Sequence, residues 1–376
     1  MVRKRNGIPA RNHSLDSRLR DKNITDRLDA LAYRYDYTYE LVKYIRDNQD
    51  LDPDKLRRIS ECYNYAVGGI FDDRSIGTRI LHSNACKQHR LCANCAHLRS
   101  VRNALNLAET VACLLSSHKD VKPIFTTLTI LNGIDIRERY NHLMRSFKRL
   151  QKIRLNAIEG HRSSLRSQVI GGLFSAEIKM TKKQLWHPHL HGLELVPIDF
   201  NVRHYDTELE NHWYRITGDS KITRVLDVKM DSEESLIKSC MEITKYSMKQ
   251  ASMTPAKQWE AYQATCNKQL VRRFGVFRGF TFDEDYNIER LRKDLSASPY
   301  REFFLKREST IKGTTFRSIM GEKKSGYSPG DYRDTDIELE VQRLDLDANK
   351  QVGLTDYENE IGDWYANERK RLKSRD

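Results

Sequence analysis

Four short apolar segments, separated by segments of helical periodicity, restrict the folds open to this chain more than any other feature. They are KPIFTTLTI, GLFSAEIKM, HLHGLELV and ITRVLDVKM, and their β-branched and apolar residues predict strands. The stretch EIKMTKKQLWHPHLHG is typical of a hairpin, and NHWYRITGD predicts a helix that ends at Gly218. This alternation predicts an α+β fold in which helices flank a central, mainly antiparallel sheet.

The regions on either side of these segments differ in composition. DRLDALAYRYDYTYELVKYIRD and SVRNALNLAETVACLLSSHKD have helical periodicity, whereas the chain beyond about residue 285 is charged and short of aliphatic residues, which predicts loose or partly disordered structure. We therefore predict four regions: a helical N-terminal extension (1–57), a cysteine-rich zinc-binding region (58–110), the main α+β domain (111–284) and a charged C-terminal extension (285–376).

The charge of the chain points to its class of partner. A formal net charge of +13 favours a polyanionic partner such as nucleic acid, and a protein with a merely basic surface is the alternative. The basic segment RSFKRLQKIRLN makes Lys148, Arg149 and Arg154 candidate contacts to a DNA backbone, although a solvated helix face is the alternative. The chain has no run of about 18 apolar residues and no signal-like N-terminus, so we expect no membrane association and a cytoplasmic location.

The segment WHPHLHG crowds three histidines into five residues at a predicted strand. His189 and His191 are two positions apart and would share one face of the strand, with Leu190 on the other. Glu177 on the preceding strand is the best candidate for a third ligand, because a hairpin would bring it opposite the histidines. His187 is the rival. Two imidazoles and a carboxylate predict a divalent metal site suited to Mg²⁺ or Mn²⁺.

A second constellation lies in SEESLIKSCMEITKYSMKQ, which has helical periodicity. Glu242 and Tyr246 are one turn apart and lie off the apolar stripe, while Lys245 and Lys249 flank the tyrosine and would suit a phosphate backbone. An ordinary helix with a solvated Glu/Lys face is the alternative interpretation.

The cysteines predict a second metal site. Cys92 and Cys95 form a C-x2-C knuckle, Cys86 lies shortly before them, and Cys62 lies further back across a possible hairpin, so four thiolates could close a tetrahedral zinc site. His89 and His97 are alternative fourth ligands. The other three cysteines are expected to be buried thiols: Cys113, Cys240 and Cys266.

Taken together and in order, these patches resemble the rolling-circle plasmid replication initiators of the single-tyrosine class, within the His-hydrophobe-His endonucleases. The resemblance rests on CYNY with CKQHRLCANC, then FTTLTI, AEIKM with WHPHLHGLEL, VLDVK and EITKYSMK, and it covers roughly residues 58–280. Gly192 departs from the bulky apolar residue expected after the second histidine. The resemblance implies an antiparallel sheet whose central histidine strand faces a helix that carries the tyrosine nucleophile.

The resemblance also implies roles for the residues. Tyr246 would attack an origin DNA phosphodiester, in a single-stranded or hairpin nick site, and leave a 5′-phosphotyrosine and a 3′-hydroxyl for the host replication machinery to extend. Glu242 would act as a base in the terminating cleavage, with Tyr205 and Tyr214 as possible second nucleophiles. A transposase or mobilisation relaxase, a non-catalytic zinc-containing DNA-binding regulator and a hydrolase of another phosphoester remain alternatives.

Overall fold

The computed structural model describes residues 22–71, 78–228, 233–244, 253–278, 299–310 and 313–325. Within these ranges, the helices are α1 (Lys22–Asn48), α2 (Pro53–Ser60), α3 (Ala93–Ser117), α4 (Ile136–Ile158), α5 (Val202–Thr217), α6 (Glu233–Thr244) and α7 (Pro255–Thr265). The strands are β1 (Tyr65–Phe71), β2 (Thr78–Ser83), β3 (Val121–Thr129), β4 (Gly171–Met180), β5 (Trp186–Pro197), β6 (Thr223–Asp227), β7 (Val271–Gly275), β8 (Pro299–Thr310) and β9 (Gly313–Ser325).

The central sheet has five strands in the order β6-β3-β5-β4-β7, and every neighbouring pair is antiparallel. The histidine strand β5 lies in the middle, between β3 and β4. A tight turn joins β4 to β5, with a backbone hydrogen bond from Thr181 N to Leu185 O (2.9 Å) and Gln184 at φ 59°. Because a hairpin turn fixes register, this turn determines which residues of β4 lie opposite the histidines. The predicted α+β fold with a mainly antiparallel sheet is confirmed.

The two faces of this sheet carry different helices. The back face packs against α4 and α5, in a core that includes Leu128, Ala176 and Leu190. The front face packs against α3 and α6, in a core that includes Leu173 and Leu193. Since side chains alternate along a strand, the odd-numbered residues of β5, His189 and His191 among them, belong to the front face. The helices of the two faces thus make the sheet the middle layer of three.

Local sequence explains where the back-face helices begin and end. Asp135 caps α4 by accepting hydrogen bonds from the backbone N–H groups of Arg137 and Glu138. Gly218 ends α5 in the left-handed conformation, at φ 72°, as the sequence predicted. These capped helices cover the back of the sheet.

Gly192 has a packing explanation. It pairs with Phe174 across β4 and β5, and a Cβ at position 192 would lie 2.3 Å from the Phe174 ring. The ring of Phe174 therefore occupies the space that a larger residue would need, and β5 continues through the glycine without a break.

A second sheet has the strand order β2-β1-β8-β9, and its strands come from segments that precede and follow the main α+β domain in the sequence. β1 pairs with β2 in the predicted hairpin and with β8 on its other edge. The expectation of loose structure beyond residue 285 is therefore wrong for 299–310 and 313–325, which pair as a long hairpin. The segments 279–298 and 326–376 lie outside the described residues.

The N-terminal helix packs on the cysteine-bearing part of the chain. A core that includes Leu41, Ile45 and Ile59 surrounds the four predicted zinc ligands and also takes in Trp259 of α7. In the part of the chain that the structure describes, no helix combines the length and apolar character of a membrane span.

Candidate functional site

The central feature of the front face is a group formed by Glu177, His189 and His191. Glu177 of β4 pairs directly with His189 of β5, and its Oε2 atom lies 3.4 Å from His189 Nε2 and 3.2 Å from His191 Nε2. Glu177 and His189 are buried, and His191 is half-buried. The structure therefore brings the three predicted ligands together from two neighbouring strands.

Hydrogen bonds behind the histidines orient their rings. His189 Nδ1 lies 3.3 Å from the backbone oxygen of His187, which can only accept, so Nδ1 is the donor and Nε2 keeps its lone pair. His191 Nδ1 lies 3.3 Å from Thr127 Oγ1 on β3. Both rings thus turn Nε2 towards the carboxylate of Glu177, an arrangement usual for metal-binding histidines.

The pKa shifts favour the forms that bind a cation. Burial lowers the pKa of His189, which favours neutral imidazole. Burial opposes ionisation of Glu177, but the neighbouring His189 and His191 hold its pKa well below the ordinary value. These two shifts belong to different states: protonated histidines stabilise ionised Glu177, and neutral His189 has a lone pair on Nε2 for a cation that replaces the proton.

These observations test whether the residues fit a divalent metal. Two lone pairs that face each other repel unless a cation lies between them, and octahedral ligands at about 2.1 Å from a metal stand about 3 Å apart. The separations of 3.2 and 3.4 Å agree with that spacing. The residues fit a divalent ion, and Glu177, His189 and His191 would hold it.

His187 differs from the other two histidines. It belongs to β5 and is buried, but its Nδ1 atom is hydrogen-bonded to Asn132 Oδ1. It lies outside the group of three whose ligand atoms converge, and its carbonyl orients His189. His187 thus positions His189 through its backbone carbonyl and is not one of the three converging ligands.

The helix α6 approaches this group on the same face of the sheet. Its residues Leu236, Cys240 and Ile243 pack on Leu193 of β5, two residues beyond His191. Glu242 is half-buried near the end of α6. Tyr246, Lys245 and Lys249 follow the last described residue of the helix and lie outside the described residues.

The end of α6 is fixed to α3 by reciprocal hydrogen bonds. Ser100 Oγ donates to the backbone oxygen of Thr244 (2.6 Å), and Thr244 Oγ1 donates to the backbone oxygen of Ser100 (3.0 Å). No local pattern predicts this pair, because the two residues lie 144 positions apart. The pair determines where the chain leaves α6 towards residue 246.

The two alternative tyrosines lie on the other side of the sheet. Tyr205 of α5 is fully buried and hydrogen-bonded to Glu194, and burial raises its pKa well above the ordinary value. Tyr214 is exposed on α5, which covers the back face. The expectation that Tyr205 or Tyr214 serves as a second nucleophile is therefore wrong, since the sheet lies between these tyrosines and the histidines.

Cys62, Cys86, Cys92 and Cys95 form a second group that could hold a metal ion. Their sulfur atoms are 3.5 to 3.6 Å apart in the Cys62–Cys95, Cys86–Cys95 and Cys62–Cys92 pairs, and all four residues are buried. A tetrahedral zinc ion with Zn–S distances of about 2.3 Å separates its sulfurs by about 3.8 Å. The four thiols fit a closed structural zinc site.

Local structure favours this arrangement of thiols. Cys92 is the N-cap of α3 and Cys95 lies in its first turn, where the helix dipole stabilises thiolates. Hydrogen bonds from the other three cysteines hold the pKa of Cys92 well below its ordinary value. Tyr63 and Lys87, which directly follow two of the ligands, have φ angles of 54° and 59°, so the chain turns sharply after each.

The alternative ligands and the remaining cysteines are now placed. His89 accepts a hydrogen bond from Arg99 (3.1 Å), and neither His89 nor His97 belongs to the group of four. Of the three other cysteines, Cys240 is buried as expected. The expectation of burial is wrong for Cys113, which is exposed, and for Cys266, which is half-buried.

The basic helix α4 presents only part of the predicted cationic surface. Lys148 and Arg149 are exposed, on the back of the sheet. Arg154 is buried, where its Nε atom donates to the backbone oxygen of Val169 (2.7 Å) and its guanidinium lies over Phe274. The prediction that Arg154 contacts DNA is therefore wrong, because this arginine faces the core.

Comparison with known protein families gives a match. The family model described as "Replication protein" matches residues 77–301, which is more than half of the chain and includes the Glu177, His189 and His191 group. No curated protein and no solved structure shows significant similarity. A family match of this extent shows that the chain belongs to the replication proteins, the family of rolling-circle plasmid initiators.

Proposed function

We propose that this replication initiator nicks and rejoins one strand of its plasmid origin through a covalent tyrosine intermediate. The observation that carries the proposal is the Glu177, His189 and His191 group, which lies on the sheet face where α6 ends. Helix α6 ends at Thr244, two residues before Tyr246 in the sequence, which supports the choice of Tyr246 as the nucleophile.

Tyr246 performs the chemistry of the first cleavage. Its phenolic oxygen attacks the scissile phosphorus, the P–O3′ bond breaks, and the proton lost by the phenol is balanced by the one gained by the leaving 3′-hydroxyl. The resulting phosphotyrosine keeps the energy of the broken bond for rejoining. The free 3′-hydroxyl is the primer for a host polymerase.

Glu177, His189 and His191 would hold Mg²⁺ or Mn²⁺ at this site. A bound divalent ion supplies Lewis-acid stabilisation and orientation of the phosphate. The buried ligands exclude water from one side of that site, and Thr127 and the His187 carbonyl keep both imidazoles in position.

Glu242 acts in the second cleavage, which terminates replication, and not in the first. In the second cleavage it accepts the proton of a water or hydroxyl that attacks the phosphorus, because a single-tyrosine enzyme needs another acceptor. Lys245 and Lys249 contact the phosphate backbone near the tyrosine. Lys148 and Arg149 contact origin DNA away from the cleavage site, since α4 lies behind the sheet.

A covalent adduct tests the proposal. Labelled single-stranded oligonucleotides tiled across the encoding plasmid are incubated with protein and Mn²⁺, and one of them should give an adduct that survives denaturing electrophoresis. EDTA and the variants Tyr246→Phe, His189→Ala and His191→Ala should each abolish it. Tyr214→Phe, an exposed tyrosine on the back of the sheet, is the matched control and should retain it.

Two outcomes would overturn parts of this scheme. An adduct formed by Tyr246→Phe would show that the nucleophile is another residue. Adduct formation in EDTA would remove the metal from the reaction. With Glu242→Gln, the first nick should survive while hydrolytic resolution of the second cleavage fails, and normal termination by this variant would assign the base elsewhere.

A further inference from the structure

We propose that a cleft between the cysteine-bearing region and the edge strand β7 binds the phosphate backbone of single-stranded DNA and leads that strand to the metal group. The cleft has a volume of about 690 Å³. One wall comes from the chain around Cys92 and from the start of α3, and the opposite wall from residues 268–273 and 278. We call it the basic cleft. This inference rests on the function proposed above, which it extends to a substrate-binding surface.

The charge of the lining is strongly one-sided. Six cationic side chains line the basic cleft: Arg90, Arg99, Lys268, Arg272, Arg273 and Arg278. Among the described residues, no Asp or Glu belongs to the lining. A concave surface lined by positive charges concentrates the electric field and attracts a polyanion.

The cleft opens beside the metal group. Ser175 lines it and pairs directly with His191 across β4 and β5, on the face that also carries Glu177 two residues further along β4. Two residues of a β-strand span about 7 Å. Adjacent phosphates of an extended DNA strand are separated by a similar distance. Thr244, the last described residue of α6, lines the same cleft, so the chain that leads to Tyr246 leaves from its wall.

The two walls are joined by direct contacts. Arg90 donates to the backbone oxygens of Thr265 and Lys268, which attaches the cysteine-bearing region to the chain that enters β7. Arg99 donates to Nδ1 of His89 (3.1 Å). Burial together with the nearby Arg99 and Arg90 lowers the pKa of His89 to about 4, so its ring is neutral near neutral pH and accepts this bond. The cleft is thus built before any ligand enters.

Its size and lining indicate the kind of nucleic acid. A volume of about 690 Å³ is that of a pocket for a ligand of a few hundred daltons, so it admits a short stretch of single strand and excludes a duplex. The described lining contains no Phe, Tyr or Trp on which bases could stack. The six cations of the lining suit contacts with the phosphate backbone, so we expect binding to depend strongly on salt.

The experiment measures the salt dependence of binding. Fluorescence anisotropy with a labelled oligothymidylate, without added Mg²⁺ or Mn²⁺ so that cleavage does not occur, compares the full-length chain with the variant Lys268→Gln/Arg273→Gln/Arg278→Gln. All three residues are exposed, so the fold should be kept, and thermal unfolding checks this. Loss of three phosphate contacts should reduce the slope of log K against log salt by about 2, at about 0.7 per contact.

Two further variants separate charge at this place from charge in general. Arg203→Gln/Arg215→Gln removes two exposed cations from α5 on the back of the sheet and should leave the single-strand slope unchanged. Arg273→Lys/Arg278→Lys keeps the charge in the cleft and should retain most of the slope. Duplex DNA is a second probe and should bind the triple variant and the unaltered chain with equal affinity. ATP is a third probe and should not displace the oligothymidylate from the protein.

The outcomes are distinct from those of the adduct test. An unchanged single-strand slope in the triple variant would overturn the basic cleft, even if Tyr246 forms its adduct. A slope that falls equally in the α5 variant would show non-specific attraction and would overturn it as well. If no adduct forms with any oligonucleotide but the triple variant still loses the slope, the cleft stands and the catalytic proposal fails. Full competition by ATP would reassign the site to a free nucleotide.

Discussion

At the scale of single residues, Gly192 shows how closely the histidine strand β5 packs on the side chain of Phe174. Gly192→Ala would place a Cβ 2.3 Å from the buried ring of Phe174. Overpacking of this kind costs about 1 to 3 kcal/mol, so we expect the free energy of unfolding to fall by that amount in urea denaturation.

A double-mutant cycle distinguishes this clash from a general intolerance of the strand. Phe174→Ala is destabilising by itself, but it removes the ring that the new Cβ would meet. In that background, we expect Gly192→Ala to cost less than about 0.5 kcal/mol. Equal costs in both backgrounds would mean that the strand conformation, and not Phe174, selects glycine.

His89 gives a prediction of pH dependence at the same scale. Burial and the adjacent Arg99 and Arg90 lower its pKa to about 4, against about 6.5 in an unfolded chain. Between pH 6.5 and 4, the unfolded state takes up a proton that the folded state does not. The stabilisation due to neutral His89 is therefore complete above pH 6.5 and is lost as the pH falls through this window.

The variant His89→Gln tests this sign. Its amide oxygen can still accept the hydrogen bond from Arg99, but it does not titrate. We expect the difference in unfolding free energy between the unaltered chain and the variant to shift in favour of the variant as the pH falls from 6.5 to 4. A difference that stays constant over this range would show that His89 titrates alike in both states.

At the scale of elements, the contact between α3 and α6 determines where the proposed nucleophile enters the site. Thr244→Val keeps the shape of the side chain but removes the hydroxyl that donates to the backbone oxygen of Ser100. We expect a loss of about 1 to 2 kcal/mol in stability. We also expect at least a roughly tenfold lower single-turnover rate of adduct formation, with unchanged affinity for the oligonucleotide, because small displacements of a reacting group are costly.

Thr110→Val is the matched control within α3. Thr110 is also buried, and its hydroxyl donates to the backbone oxygen of Asn106 (2.8 Å), one turn earlier. We expect a similar loss of stability and an unchanged rate. Equal rates for Thr244→Val and the unaltered chain would mean that the contact is structural only.

The elements that sequence reasoning found are those with a strong local period. The four strand segments, the hairpin and the helix ending at Gly218 all occur, and the hairpin explains why Glu177 could be chosen as the partner of His189. In α4, the charge of Arg154 favoured exposure, whereas its helical position indicated the buried face. Arg154 continues the apolar stripe formed by Ile136, Tyr140, Leu143, Phe147 and Leu150.

Features that depend on distant residues could not be predicted. β8 pairs with β1 from the far end of the chain, and its charged residues obscure the alternation of a strand. The basic cleft combines residues from His89 to Arg278, and no single segment carries its charge pattern. Local periodicity determines an element, whereas the arrangement of walls around a cleft follows from tertiary packing.

At the scale of the whole molecule, Arg307 of β8 connects the C-terminal hairpin to the cysteine group. Its guanidinium donates to the backbone oxygens of Ser60 (2.7 Å) and Cys62, and it lies 3.5 Å from the ring centre of Tyr35 in α1. Arg307→Ala leaves two carbonyls without these charged donors, so we expect a loss of about 2 to 4 kcal/mol.

The same variant should weaken the hold of the region on zinc. The purified chain is expected to carry about one equivalent of Zn²⁺, and Arg307→Ala should release it several times faster to a chromogenic chelator, because the backbone of Cys62 is less well fixed. The exposed neighbour Lys306 supplies the control variant Lys306→Ala. A release rate equal to that of the control would show that the thiolates alone determine metal retention.

The contact between Arg307 and Ser60 spans 247 positions of the chain, and this distance has a consequence for biosynthesis. All five strands of the central sheet precede β8 in the sequence, so the central sheet can form while the cysteine-bearing sheet still lacks its third strand. Until then, β1 has an unpaired edge, which is a site for aggregation. We therefore expect released chains truncated before residue 299 to have a folded central sheet and to bind chaperones through β1, whereas the full-length chain should not.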